Sequence, residues 1–189
     1  MKKILTLILF LAITAAAFSQ SVSHMKFMGI PINGTITQFQ AKLTAKGCTY
    51  DKRTSSYISS GTRAFKGNMV GNKATIFVYY NTKTKIVYRV KAVINRLTDD
   101  IANQKLQQIK DLLSIKYDVV NTQSDDYGEA VTFMPDADGT DTETYGRIDL
   151  YLSKDAEDWI NQPYNYNIHI DYYDTYNSLR NDMQQLDEL

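Results

Sequence analysis

The sequence predicts an α+β protein built from two tandem units, each one helix followed by an antiparallel sheet of about four strands, with a further helix at the C-terminus. Helix-start signals open the pattern twice, at Thr35 and at Thr98. Each is followed by a series of period-two strands rather than by single strands alternating with helices, which selects antiparallel hairpins over a parallel α/β sheet. The net charge reverses at the same boundary. Residues 20–97 carry thirteen Lys and Arg against one acid, Asp51, and residues 98–189 carry six against twenty acids. The chain therefore divides into a leader (1–19), a basic unit (20–97) and an acidic unit (98–189). Its 189 residues, 14 Tyr, 7 Phe and single Cys exclude a disordered polyanion, a collagen, a disulfide scaffold and a polytopic membrane protein.

Taken in order, Lys2 and Lys3 precede an apolar run of 14 residues, Ile4 to Ala17, and then small residues with cleavage points after Ala17 or Ser19. A run of that length is too short to cross a hydrocarbon core of about 30 Å, so it reads as a secretory signal peptide and the chain as periplasmic or extracellular. Cys48 has no internal disulfide partner and reads as a small buried residue.

Thr35 and Gln38 fit a capping box. Ile36, Phe39 and Leu43 then share a helical face, and Gly47 is a stop, giving a helix over about 36–46. Strands are expected at Cys48–Tyr50, Tyr57–Ser59 and Ala64–Val70. The cleanest hairpin joins Ala74–Tyr80 to Ile86–Ile94 through Asn81–Lys85. One of its faces carries Ala74, Ile76, Val78 and Tyr80 with Ile86, Tyr88, Val90, Ala92 and Ile94, and the other Phe77, Tyr79, Arg89 and Lys91.

In the second unit, Thr98, Asp99 and Asp100 suit a helix N-terminus, and Ile101, Leu106, Ile109, Leu112 and Leu113 form its stripe. Strands follow near Tyr117–Thr122, Ala130–Met134, Gly146–Ser153 and Tyr164–Tyr173. The last residues read as a helix, with Leu179, Met183 and Leu186 at helical spacing. Charged loops and amphipathic helices argue against the rival fold, an eight-stranded outer-membrane barrel.

The stretch Phe27-Met28-Gly29-Ile30-Pro31-Ile32-Asn33-Gly34-Thr35, followed by Phe39, Leu43, Lys46-Gly47 and then Phe65-Lys66-Gly67, resembles the opening of a group of uncharacterised exported proteins of Bacteroidetes. The likeness covers about the first half of the chain beyond its leader. It implies a compartment and a repeat architecture and carries no activity. The tandem of helix and four strands is also similar in architecture to the beta-lactamase inhibitory protein.

Chemistry-bearing motifs are sparse. His24 and His169 are the only histidines, and a nucleophilic triad needs a base oriented by a third group. Symmetric pairing of the last hairpin would set Tyr151 opposite Asn167, Asp149 opposite His169 and Arg147 opposite Asp171, which is a solvated sheet face rather than a catalytic set. Asp136, Asp138, Asp141 and Glu143 around Gly139 offer the alternating oxygens a Ca²⁺ ion takes, on a spacing that departs from the EF-hand. Trp159, the only Trp, stands among acids and suits an anchor for a partner or a sugar ring.

The basic hairpin, with Lys73, Lys83, Lys85, Arg89 and Lys91 interleaved by Phe77 and Tyr79, has the composition of a polyanion-binding surface. The leader turns that expectation from nucleic acid toward an anionic glycan, a headgroup or an acidic protein. The resulting expectation is a non-enzymatic exported module. It would bind a protein or glycan partner through Phe77, Tyr79, Arg89, Lys91, Tyr151 and Trp159, without a cofactor and with self-association between basic and acidic units possible. The alternative is a small carboxylate-based hydrolase of envelope glycans or peptides.

Overall fold

The computed structural model describes residues 23–125, 128–135, 145–154 and 166–186. The elements run β1 (Lys26–Phe27), β2 (Ile30–Pro31), α1 (Ile36–Ala45), β3 (Thr49–Tyr50), α2 (Lys52–Ser55), β4 (Thr62–Met69), β5 (Asn72–Tyr80), β6 (Val87–Leu97), α3 (Asp99–Ser114), β7 (Tyr117–Asp125), β8 (Gly128–Pro135), β9 (Gly146–Lys154), β10 (Tyr166–Asp174) and α4 (Thr175–Leu186). β1 and β2 form a small hairpin, and the other eight strands form one antiparallel sheet in the order β3-β4-β5-β6-β10-β9-β8-β7.

This corrects the expectation of two four-stranded sheets. β6 and β10 pair from Tyr173↔Arg89 to Tyr166↔Leu97, and that seam fuses the strands into a single sheet. The physical reason lies in the inner faces. Val90, Ala92 and Ile94 on β6 and Ile168, Ile170 and Tyr172 on β10 are all buried, and two separate sheets would leave both strands with unpaired backbone edges beside apolar rows. The sheet is open, with β3 and β7 at its ends, which is not a barrel. Among the described residues no helix is long and apolar enough to cross a membrane.

Local chemistry explains the helix boundaries. Thr35 accepts from the Gln38 amide and the Gln38 side chain accepts from the Thr35 amide, a complete capping box. The other end closes at Gly47, whose φ of +84° is a left-handed value suited to glycine, while Cys48 N–H bonds back to the Leu43 carbonyl. α3 starts differently from expectation: Thr98 makes no side-chain cap, and Asp99 and Asp100 in the first turn supply the favourable charge instead. The expected strand at Tyr57–Ser59 is absent, because α2 occupies 52–55, capped by Asp51, and the chain turns through 56–61 to enter β4.

The core is one layer between helices and sheet. Ile36, Phe39 and Leu43 of α1, Ala102, Leu106 and Ile109 of α3, and Met25, Phe27, Ile30 and Ile32 of the N-terminal segment join the inner sheet face. A single apolar row, Phe65–Ile76–Ala92–Ile170–Leu150–Val131, crosses six strands through directly paired positions. Cys48 is buried beside Gly67, whose missing side chain leaves room for it. Near the end of β5 the register shifts between Tyr79 and Tyr80, so Val87 rather than Tyr88 turns inward.

α4 forms where the spacing of Leu179, Met183 and Leu186 predicts a helix, and it docks through its polar side. Asn177 and Asn181 are its buried residues, while Leu179, Met183 and Leu186 are 59%, 66% and 67% exposed. Polar contacts anchor the inward side: Asn177 Nδ2 donates to the Ile32 carbonyl at 2.9 Å, Asn81 Nδ2 to Asn181 Oδ1 at 3.0 Å, and Ser178 Oγ to the Tyr88 carbonyl at 3.4 Å. The start of the described chain is tied to this helix too. Fully buried Asp174 accepts from the Met25 amide at 2.9 Å and the Asn177 amide at 2.9 Å, and lies 3.0 Å from His24 Nδ1. His24 is therefore anchored to the start of α4.

Candidate functional site

The outward face of the sheet is written in the same pairings as the core, one residue out of phase. Alternation on β5, β6, β10 and β9 sends Phe77 and Tyr79, Arg89 and Lys91, His169, Asp171 and Tyr173, and Arg147, Asp149 and Tyr151 to that side. The pairs Phe77↔Lys91 and Tyr79↔Arg89 join β5 to β6, and Lys91↔Asp171 and Arg89↔Tyr173 carry the rows across the seam. Five of the expected binding residues, Phe77, Tyr79, Arg89, Lys91 and Tyr151, thus share one surface. Trp159 and the expected calcium ligands Asp136, Asp138, Asp141 and Glu143 lie outside the described residues.

The expected register of the last hairpin was two residues off. Ser153 opposes Asn167, Tyr151 opposes His169 and Asp149 opposes Asp171, because the ladder runs outward from Lys154↔Tyr166. This puts two carboxylates directly opposite each other, a costly arrangement unless both are compensated. Both are. Arg89 grips Asp171 through Nε to Oδ1 at 2.8 Å and Nη2 to Oδ2 at 2.5 Å, while Arg147 Nε lies 3.1 Å from Asp149 and Thr132 Oγ1 donates to it at 3.0 Å.

The Arg89–Asp171 pair is half-sunk in the surface, with the Asp171 side chain 1% exposed. Its guanidinium lies between the Tyr79 and Tyr173 rings, 4.6 and 4.7 Å from their centroids. Burial opposes the charge on Arg89, but the Asp171 carboxylate more than offsets it and holds the pKa above the ordinary arginine value. Burial likewise raises the Tyr79 phenol and pushes Tyr173 up to about 12, so both rings stay neutral at physiological pH. Arg89 is thus a structural cation, held by the Asp171 carboxylate and two tyrosine rings.

Beside this strut lies an open cleft of about 550 Å³. Its floor is Phe77 and Tyr79 of β5, Lys91, Val93 and Asn95 of β6, Asn167 and His169 of β10 and Ser153 of β9. Its wall is Tyr57, Ile58 and Ser59, the turn that replaced the expected strand, with Thr62 at the start of β4. That wall is pinned: Ala64 N–H donates to Ser55 Oγ at 2.9 Å, Thr62 N–H to the Ser59 carbonyl at 3.2 Å, and Tyr80 N–H to the Gly61 carbonyl at 2.8 Å. Tyr57 projects from it, 83% exposed. At the far end β6 bulges, with Arg96 at φ +62° and its amide donating to Asn167 Oδ1 at 3.3 Å.

No family model, curated protein or solved structure matches this chain. The chemistry of the cleft must therefore be read from its own groups.

Among the described residues lining the cleft, Lys91 is the only formally charged one, and none is a carboxylate. Its ammonium donates to Tyr151 Oη at 2.8 Å. The neighbouring Asp171 is already committed to Arg89, and among the described residues Lys91 makes no ion pair. His169 stacks on Tyr151, ring centroids 4.7 Å apart and 7° from parallel, and its Nε2 lies 2.6 Å from Ser153 Oγ. Burial first, and the charge of Lys91 second, depress the His169 pKa to about 4, so the ring is neutral near pH 7.

A serine hydroxyl on a histidine nitrogen invites a nucleophilic reading, but the surroundings do not complete it. His169 Nδ1 is buried without a hydrogen-bond partner, whereas a catalytic imidazole has that nitrogen held by an orienting acceptor. A base of pKa about 4 also has little driving force for taking a serine proton at neutral pH. Among the described residues no group of three or more His, Cys, Asp or Glu is placed to hold a metal ion.

Sequence reasoning located part of the cleft floor, Phe77, Tyr79 and Lys91, and missed the rest. The β6 alternation continues from Lys91 to Val93 and Asn95, and the same rule on β10 yields Asn167 and His169, so these were within reach. Tyr57, Ile58 and Ser59 were not, because their role depends on α2 turning the chain over the sheet.

Proposed function

We propose that this is an exported, non-enzymatic binding module that holds its ligand in the cleft on the outward face of the sheet. The observation that carries the reading is the described lining: three aromatic rings, two amides, three hydroxyl residues, a neutral imidazole and one lysine, with no carboxylate among these described residues. Aromatic surface with a few polar groups fixing orientation is the usual make-up of a small-ligand site, and the cleft volume lies within the ordinary range of roughly 300–1,000 Å³. The leader-like residues 1–19 and the likeness to exported Bacteroidetes proteins support an envelope or extracellular setting, where the ligand would be a glycan or a protein segment.

The carboxylate-hydrolase alternative gains nothing from the described residues. Asp149 and Asp171, the carboxylates paired on the outward face, are each already bound to an arginine. Titrating the ¹⁵N-labelled protein with a panel of glycans and peptides tests the proposal. Shifts centred on Phe77, Lys91, Asn95 and His169 are expected. Binding confined to another surface, or none at millimolar ligand, would overturn it.

A further inference from the structure

We infer that the cleft takes an acidic saccharide, with the sugar ring against Tyr57 and Phe77 and its carboxylate at Lys91. This rests on the binding-module reading and narrows it to one ligand class.

The charge pattern selects an anion. Lys91 lines the cleft, no described lining residue is acidic, and Asp171, directly opposite Lys91 across the seam, is neutralised by Arg89. A carboxylate arriving at the ammonium meets no competing acid among the described lining residues. It adds to, rather than replaces, the Tyr151 hydroxyl, because an ammonium has three donors. Lys rather than Arg at this point offers a compact charge with movable donors, which suits a ring substituent whose angle varies.

The remaining groups select a saccharide over an acidic peptide. Ser59, Thr62, Asn95 and Ser153 place hydroxyls and amides around the rim, each able to donate and to accept, which is what vicinal sugar hydroxyls require. Tyr57 and Phe77 supply aromatic surface for the C–H face of a sugar ring. A peptide would instead seek a backbone edge, and the cleft floor lies over β5, β6 and β10, interior strands paired on both sides. His169 then acts as a reporter: an anion beside Lys91 offsets the charge that helps keep the imidazole neutral.

The test uses the protein as secreted by an expression host, with trigalacturonate, its methyl ester and hexaglutamate as probes, followed by calorimetry and by NMR of His169. Trigalacturonate should bind with shifts at the cleft, and the ester about tenfold more weakly, a difference of about 1.4 kcal/mol. Lys91→Met should remove that preference, Lys91→Arg should retain most of it, and Tyr57→Ala, at an exposed position, should weaken acid and ester alike. The His169 pKa should rise by about one unit with the acid and stay put with the ester. Equal binding of acid and ester, unaffected by Lys91→Met, overturns the acidic-saccharide inference while leaving the cleft as a binding site. Tighter binding of hexaglutamate overturns it in favour of a peptide. Failure of every probe and of the wider glycan and peptide panel to shift the cleft removes the binding-module reading itself.

Discussion

His169 and Arg89 are two basic side chains on one sheet face that have been driven to opposite protonation states. Arg89 keeps its charge because Asp171 is locked to it, and His169 loses its charge because burial and Lys91 leave nothing to stabilise an imidazolium. The histidine gives the first prediction. Its folded pKa, about 4, lies below the value of about 6.5 expected in an unfolded chain, so between those values the unfolded state binds more protons. Its contribution to stability is therefore complete above about pH 6.5 and is lost as pH falls toward 4. Urea midpoints measured across that window should fall for the wild type and fall less steeply for His169→Gln. The second concerns the ion pair: Arg89→Ala strands a buried carboxylate and should destabilise by about 3 kcal/mol or more. Chemical denaturation of Arg89→Ala beside the double variant Arg89→Met/Asp171→Leu checks it, the double variant being the less damaged. The face these residues occupy was legible from alternation alone. Their partners were not, since Arg89 meets Asp171 only through pairing between strands more than seventy residues apart.

At the scale of elements, the chain shows where short-range chemistry suffices. The Thr35/Gln38 box and the Gly47 stop bound α1 within a residue of the sequence reading, because capping is decided by groups three or four residues apart. Thr35→Ala should lower stability by about 1 kcal/mol, readable as a reduced urea midpoint. Tertiary position decided the other elements. Residues 57–59 looked like a strand by composition and became a turn, since β3 already pairs with β4 through Thr49↔Lys66 and Tyr50↔Phe65. The spacing of Leu179, Met183 and Leu186 identifies α4 as a helix, which docks through Asn177 and Asn181 onto carbonyl and amide groups. Hydrophobic spacing identifies a helix without saying which side will find partners. Leu179→Lys and Met183→Lys should accordingly shift stability by no more than about 0.5 kcal/mol, a result that circular dichroism melts can distinguish from the core change Leu106→Ala at about 2–5 kcal/mol. Gly146 opens β9 where a Cβ would meet the Tyr173 carbonyl and come within 2.9 Å of Met25 Cβ. Gly146→Ala should therefore push the N-terminal segment off the sheet and cost about 1–3 kcal/mol.

For the whole molecule, the charge division at Leu97–Thr98 marks where the second helix begins but not where the structure separates. Linear order alone makes the two halves look like separate units. The β6–β10 seam instead makes basic and acidic strands neighbours, so Arg89 of one half and Asp171 of the other share a bond. Unfolding in urea should be a single transition, coincident by tyrosine fluorescence and far-ultraviolet circular dichroism, without a plateau from one surviving half. The seam also orders events in time. β6 is complete by residue 97, yet its partner is the last strand of the chain, so a nascent molecule carries an apolar row beside an unpaired edge until residues 166–174 emerge. Loop closure over that distance must precede the central pairing, which places the protein among slow, non-local folders and makes its middle strand, rather than either outer one, the edge that needs protection during synthesis.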